Sequence, residues 1–171
     1  MAGLRLFRLA VLAGAFTALG AIFAPVVTAG AAGALPFGVG KLLGGLVFCL
    51  GLILVIVGGA ELFTGNTLIV IAWAARKVTL DALLRNWSMV FMGNFVGALG
   101  TAGLVFLGRQ HTFGGGAVGL NMLSIATGKL EYTFVQAGAP GRLGKGPGCL
   151  AGWVTYSART TTDKILAIIF P

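Results

Sequence analysis

Of the 171 residues, 57% are hydrophobic and 9% are charged, against roughly 25% charged in a soluble domain, which excludes a water-soluble globular fold. The net charge of +8 comes from 12 Lys and Arg against 4 Asp and Glu, but the bases stand beside apolar segments and form no stripe interleaved with aromatics, so nucleic acid is excluded as a partner. Cys49 and Cys149 lie in apolar stretches with no disulfide framework or metal spacing. The single His111, in a Gly-rich loop, reads as a solvated surface residue without a nucleophile or acid beside it, so neither an enzyme nor a cofactor is expected.

The first apolar stretch runs over 9–28, behind Arg5 and Arg8. Followed by the small residues Ala29-Gly30-Ala31, it has the outline of a cleaved signal peptide. Its apolar run, however, is nearly twice the ~7–15 residues of such a peptide, and it is read as the first span. No charged residue lies between Arg8 and Lys41, a gap longer than the ~20 residues that a helix needs to cross a bilayer.

The next two apolar stretches, 42–57 and 68–75, are each too short to cross alone. Together they predict a single span over 42–75, broken at 58–67. The pair Gly58-Gly59 frees the backbone from helical geometry, and Asn66 or Thr67 is placed to cap a restarting half-helix. Irregular backbone at bilayer depth is tolerated only where it is buried in protein or lines a watery cavity. A broken helix also aims the positive end of its dipole at whatever the cavity holds. Glu61, the only charge between Lys41 and Arg76, sits in the break, and ionisable groups inside membranes usually mark function. A glycine kink packed on a neighbouring helix is the alternative reading of the same residues.

A third span is predicted over 87–107, a fourth over 134–154 and the start of a fifth at 165, so that 1–171 is one all-α membrane domain. Gly40-xxx-Gly44 and Gly93-xxx-Gly97 are candidate close-packing stripes. With the N-terminus in the cytoplasm, Arg5, Arg8, Arg76, Lys77, Arg85, Arg159 and Lys164 fall inside, and Lys41, Arg109 and Lys129 outside. The seven-to-three split fits the positive-inside rule for a multi-pass protein of the inner (cytoplasmic) membrane. Arg142 and Lys145 fall within the fourth span.

The stretch from Ile56 through Gly58-Gly59-Ala60-Glu61-Leu62-Phe63-Thr64-Gly65 resembles the first signature of the formate/nitrite transporter family at every position. Leu35-Pro36-Phe37-Gly38, Asn86-Trp87, Gly93-Asn94-Phe95-Val96-Gly97-Ala98, Trp153, Tyr156-Ser157-Ala158-Arg159 and Asp163-Lys164 continue the likeness to the closing Phe170-Pro171. The resemblance implies an aquaporin-like fold of inverted halves, assembled as a homopentamer with one pore per subunit, that passes formate, nitrite or similar small monovalent anions, often with a proton. It implies that Leu62, Phe63 and Thr64 form part of the inner constriction, that Phe48 and Leu52 narrow the pore, and that Lys129 is a vestibule lysine attracting the anion. Such an anion is spared the cost of an apolar constriction if it crosses as the neutral acid.

The family's mid-pore histidine follows the proline matching Pro171, where this chain ends. On the resemblance, the chain as written is expected to be the first inverted half plus the fourth span, and not to conduct. The fourth span also departs from the family's second signature: Lys145 stands for an asparagine, Gly146-Pro147 for two bulky apolar residues and Gly148 for a valine. Three readings follow: a channel subunit for small anions with formate preferred, a non-conducting truncated remnant of one, and a neutral-solute pore of aquaporin type. The last lacks the two Asn-Pro-Ala motifs.

Overall fold

The computed structural model describes residues 2–31, 33–132 and 150–169. Among these residues it is helical throughout its regular structure. Three helices are long and apolar enough to cross a membrane: α1 (Ala2–Thr28), α2 (Phe37–Val57) and α5 (Leu80–Leu107). Between α2 and α5 lie two short pieces, α3 (Phe63–Asn66) and α4 (Ile69–Ala74).

Each long helix begins before the apolar stretch that predicted it. At 27 residues α1 is about 40 Å long against a hydrocarbon core of about 30 Å, so it takes Arg5 and Arg8 into its opening turns. Helix α2 starts at once after Pro36, and the Lys41 ammonium lies 5.3 Å from the centre of the Phe37 ring. Helix α5 starts behind Thr79, whose hydroxyl accepts from the Ala82 amide, with Asp81 complementing the dipole in its first turn.

Helix α1 is the centre of the bundle, packed antiparallel to α2 and parallel to α5. Small residues make both seams. Ala10 and Ala13 are fully buried, as is Val90 of α5, and Gly93 and Gly97 are buried beside them. A Cβ at Gly97 would overlap the Val11 carbonyl oxygen, and one at Gly14 would overlap the backbone of Asn94. On the other side, a Cβ at Gly20 would come within 2.7 Å of the Phe48 carbonyl oxygen. Backbones this close gain dispersion contacts that lipid cannot match. Of the two predicted stripes, Gly93-xxx-Gly97 therefore forms a helix seam along its whole length, whereas Gly40-xxx-Gly44 does so at one end: a Cβ at Gly44 would come within 3.2 Å of the Thr28 methyl of α1, and one at Gly40 would meet the Ala31 methyl at 3.9 Å.

After α5 the chain turns through Arg109 in the left-handed region (φ 52°), a 3-10 turn over Gln110–Thr112 and three successive left-handed glycines, Gly114 to Gly116. Helix α6 (Ala117–Leu130) follows. No helix was expected here, because its 14 residues reach only about 21 Å and do not register as a crossing. Asn121 fastens α6 to the end of α1, its Nδ2 donating to the Pro25 carbonyl (2.8 Å) and the Thr28 hydroxyl (3.0 Å). The expectation of a solvated His111 is corrected. Its ring stacks on Phe106 (centroids 5.5 Å apart, 19° between planes), and its Nδ1 is shut off from solvent without a hydrogen-bond partner among the described residues.

Residues 150–155 are helical (α7), and α8 (Thr161–Ile169) packs on α2, starting ahead of the predicted Ile165. The Cys49 thiol of α2 donates to the Ile168 carbonyl at 3.7 Å. Most of the predicted 134–154 span, with Arg142, Lys145, Gly146, Pro147 and Cys149, lies outside the described residues, as do Phe170 and Pro171.

Candidate functional site

The break in the second span begins at a glycine that ends a helix. Gly59 takes φ +63°, and beyond it the Ala60 amide donates back to the Val55 carbonyl at 2.9 Å, a closure that needs a left-handed residue after the last turn. From there the backbone runs extended to Leu62 (φ −98°, ψ 131°) and enters α3 at Phe63. The predicted break over 58–67 is thus divided: 58–62 and the turn at 67–68 are outside the helices, and Phe63 to Asn66 between them form a helical turn.

Neither Asn66 nor Thr67 caps the restart; a side chain from another helix does so. The Phe63 amide donates to Asn94 Oδ1 of α5 at 2.8 Å. The Asn94 Nδ2 donates to the Glu61 carbonyl at 2.9 Å and to the Ala10 carbonyl of α1 at 2.7 Å. The Glu61 amide donates to the neighbouring Leu9 carbonyl at 3.2 Å. Asn66 ties the other end of the turn. Its Nδ2 donates to Glu61 Oε2 (2.8 Å) and Asn86 Oδ1 (3.0 Å), and its carbonyl accepts from Trp87 Nε1 (2.9 Å). Groups that water would satisfy in a soluble loop are here satisfied by α1 and α5, as a break within the span of both helices requires.

A cavity of about 250 Å³ opens beside this loop. It brings together three of the predicted site residues, Leu52 of α2 and Leu62 and Thr64 of the break, with Glu61, Thr155 and Tyr156. A second cavity, about 400 Å³, shares Gly65, Asn66, Leu68 and Tyr156 with the first and carries Lys77 and Trp153 on its wall. Phe63 does not line either cavity. Its ring packs edge-on against Trp87 (6.2 Å) and Phe91 (5.6 Å) of α5 and fixes the loop from behind. Phe48, one turn before Leu52 on α2, is half exposed and off the cavity wall. Lys129 stands exposed in the last turn of α6, also away from these cavities.

Among the described residues no group of three or more His, Cys, Asp or Glu is placed to hold a metal. Sequence reading named the loop but not the amides that hold it. Asn94 is a polar residue inside the uncharged stretch of α5, seven positions from Trp87 and so on the same helix face, which is the signal of a hydrogen bond to another helix.

The family model for formate/nitrite transporters matches residues 1–171. The formate channel FocA of Escherichia coli K12 is 42% identical over 168 residues, covering 98% of this chain and 59% of that protein. FocA of Haemophilus influenzae is 39% identical over 165 residues, covering 96% and 58%. A solved pentameric formate channel with formate bound superposes with a TM-score of 0.93 at 44% identity, covering 99% of this chain and 66% of the other. An FNT family ion channel does so with a TM-score of 0.81 at 28% identity, covering 98% and 65%. The chain thus spans about 59% of the E. coli relative's length. With the broken span, its capping asparagine and the cavity beside it laid over one continuous match, the chain belongs to the formate/nitrite transporter family.

Proposed function

We propose that this chain contributes part of one subunit's pore wall to a membrane channel for small monovalent anions, with formate preferred over nitrite. The observation that carries the reading is the cavity at the break: irregular backbone held at the depth of α1 and α5, with Leu52, Leu62 and Thr64 around a space sized for a small solute. Irregular backbone in that place is stable only beside protein or a watery path. The identity to E. coli FocA, a formate channel, supports formate as the solute.

In this reading the two leucines form an apolar collar that a bare anion enters at a high cost and a neutral acid at a small one. The anion therefore crosses with a proton, and flux rises as pH falls toward the acid's own pKa. Thr64 supplies a hydroxyl at the collar. Phe63 acts from behind the loop, Phe48 continues the α2 wall one turn from Leu52, and Lys129 gathers anions at the outer end of α6. The assembly is a homopentamer in the lipid of the inner membrane, like the solved pentameric formate channel. Its N-terminus is cytoplasmic, in line with Arg5, Arg8 and Arg85 lying at the end where α1 and α5 both begin.

The test is uptake of labelled formate by liposomes holding this chain continued beyond Pro171 with the remainder of the E. coli channel. Saturable uptake is expected, faster at lower pH, and altered by Thr64→Val while the pentamer persists. Uptake no faster than through lipid alone would overturn the reading. Uptake of neutral solutes such as glycerol at a rate matching formate would instead favour the aquaporin-type pore.

A further inference from the structure

We propose that Asn94 is a positioning residue of the pore loop, a three-point clamp that holds Leu62 and Thr64 at the cavity wall and thereby sets which anions pass. The proposal rests on the cavity being the conduction path, and it goes beyond that reading by assigning specificity to a side chain that does not line the path.

The argument is one of valence and fit. A carboxamide carries two donor hydrogens and an acceptor oxygen. Here Nδ2 serves two carbonyls on two different elements, Ala10 on α1 and Glu61 in the loop, while Oδ1 takes the first amide of α3. One planar group thus fixes the loop to two helices, immediately before and after Leu62. The Glu61 amide on Leu9 adds a second tie to the same turn of α1. The clamp also has little slack, because Asn94 sits where a Cβ at Gly14 would overlap its own backbone, and where a Cβ at Gly93 would come within 2.5 Å of the Ala10 methyl. Interiors packed this closely move between discrete arrangements and do not stretch. Aspartate lacks the two donors and would face two carbonyl oxygens with a charge. Leucine supplies no polar group, and glutamine is one methylene too long for the seam. Only asparagine meets all three partners at this distance from the α5 backbone. The loop carrying Leu62 and Thr64 therefore takes its position from α1 and α5, whose seam is the tightest among the described residues.

The experiment has two arms, each applied to wild type, Asn94→Ser and Asn94→Asp. In the first, amide hydrogen exchange is followed by mass spectrometry on the 171-residue chain in lipid nanodiscs. Peptides covering 58–66 are expected to exchange at least about tenfold faster in both variants, the factor that the loss of a single hydrogen bond of about 1.4 kcal/mol would by itself produce. Peptides from 97–107 keep their wild-type protection. In the second, the formate-to-acetate uptake ratio is measured in the liposomes described above. A loosened loop admits the larger acid, so the ratio falls in both variants. A loss of folded protein lowers both fluxes alike and leaves the ratio unchanged. Unchanged exchange at 58–66, faster exchange over the whole chain, or a constant ratio each overturns the proposal. If wild type takes up neither acid, the channel reading falls with the specificity claim, while the exchange arm still decides the clamp.

Discussion

Helices α3 and α8 are capped in opposite ways. At α3 the first amide, that of Phe63, is taken by Asn94, 31 residues away on another helix. At α8 the start is closed locally, the Thr160 amide donating to Asp163 Oδ2 and the Asp163 amide to Thr160 Oγ1, both at 3.1 Å. The local box forms wherever Thr160 and Asp163 stand three residues apart at a helix start. The remote cap forms only if α1, α5 and the loop have already met. The position of the loop at the break is therefore a tertiary property, and it is exposed to damage at a distance.

Substitutions at the α1–α5 seam should test that dependence with the largest effect. Gly97→Val drives a branched side chain into the Val11 carbonyl, where the neighbour is backbone and cannot turn aside. A loss of 3 kcal/mol or more, about the upper end of overpacking, is expected in thermal unfolding. Gly100→Ala, one turn on and with open space around it, should instead stabilise α5 by about 0.5–1 kcal/mol. Equal effects at the two glycines would break the claim that the seam positions the loop. Asn66→Leu comes next. It removes the donors to Glu61 and Asn86 and leaves a half-buried carboxylate unpaired, for about 1–3 kcal/mol. Trp87→Phe removes one bond to the Asn66 carbonyl and should cost about 1 kcal/mol. An Asn66 variant no worse than the Trp87 variant would show that Glu61 finds another partner.

The same contrast explains what could be read in advance. The break was legible because Gly58-Gly59 and a lone Glu61 interrupt an otherwise continuous apolar run, and its three wall residues Leu52, Leu62 and Thr64 followed from the resemblance. Its extent was not legible. Whether Phe63 to Asn66 coil into a turn depends on an acceptor on α5, and no local pattern carries that. The motif gives the position of Phe63 but not the partners of its ring, Trp87 and Phe91 of α5. Helix α6 was not legible because its 14 residues are too short to register as a crossing. His111 reads as a surface residue because three glycines follow it, but those glycines turn the chain so that Gly119 of α6 comes against the His111 backbone and Cβ, while the ring stacks on Phe106. In each case a partner distant in sequence decided the outcome.

The smallest effects belong to the local cap, where only one helix end is at stake. Thr160→Ala should cost about 1 kcal/mol, confined to α8, and leave exchange at 58–66 untouched. The pH response at this end has a definite sign. Hydrogen bonds from the Thr160 hydroxyl, and then from the Thr160 backbone amide, hold the exposed Asp163 carboxyl below its ordinary value. A depressed carboxylate adds stability that is fully present above the unfolded value, about 3.9, and is lost as pH falls through the lowered folded value. The carboxylate also faces the positive end of the α8 dipole, which acts in the same direction. An NMR titration of the chain in nanodiscs should therefore show the Thr160 amide signal steady from neutral pH down to about 4 and moving only below it. Asp163→Asn should remove that movement and leave the pH response of the Phe63 amide, which is held by an asparagine of α5, the same as in wild type. A Phe63 response altered by Asp163→Asn would mean that the two helix starts are coupled, and that the loop at the break feels the charge at α8 across α2.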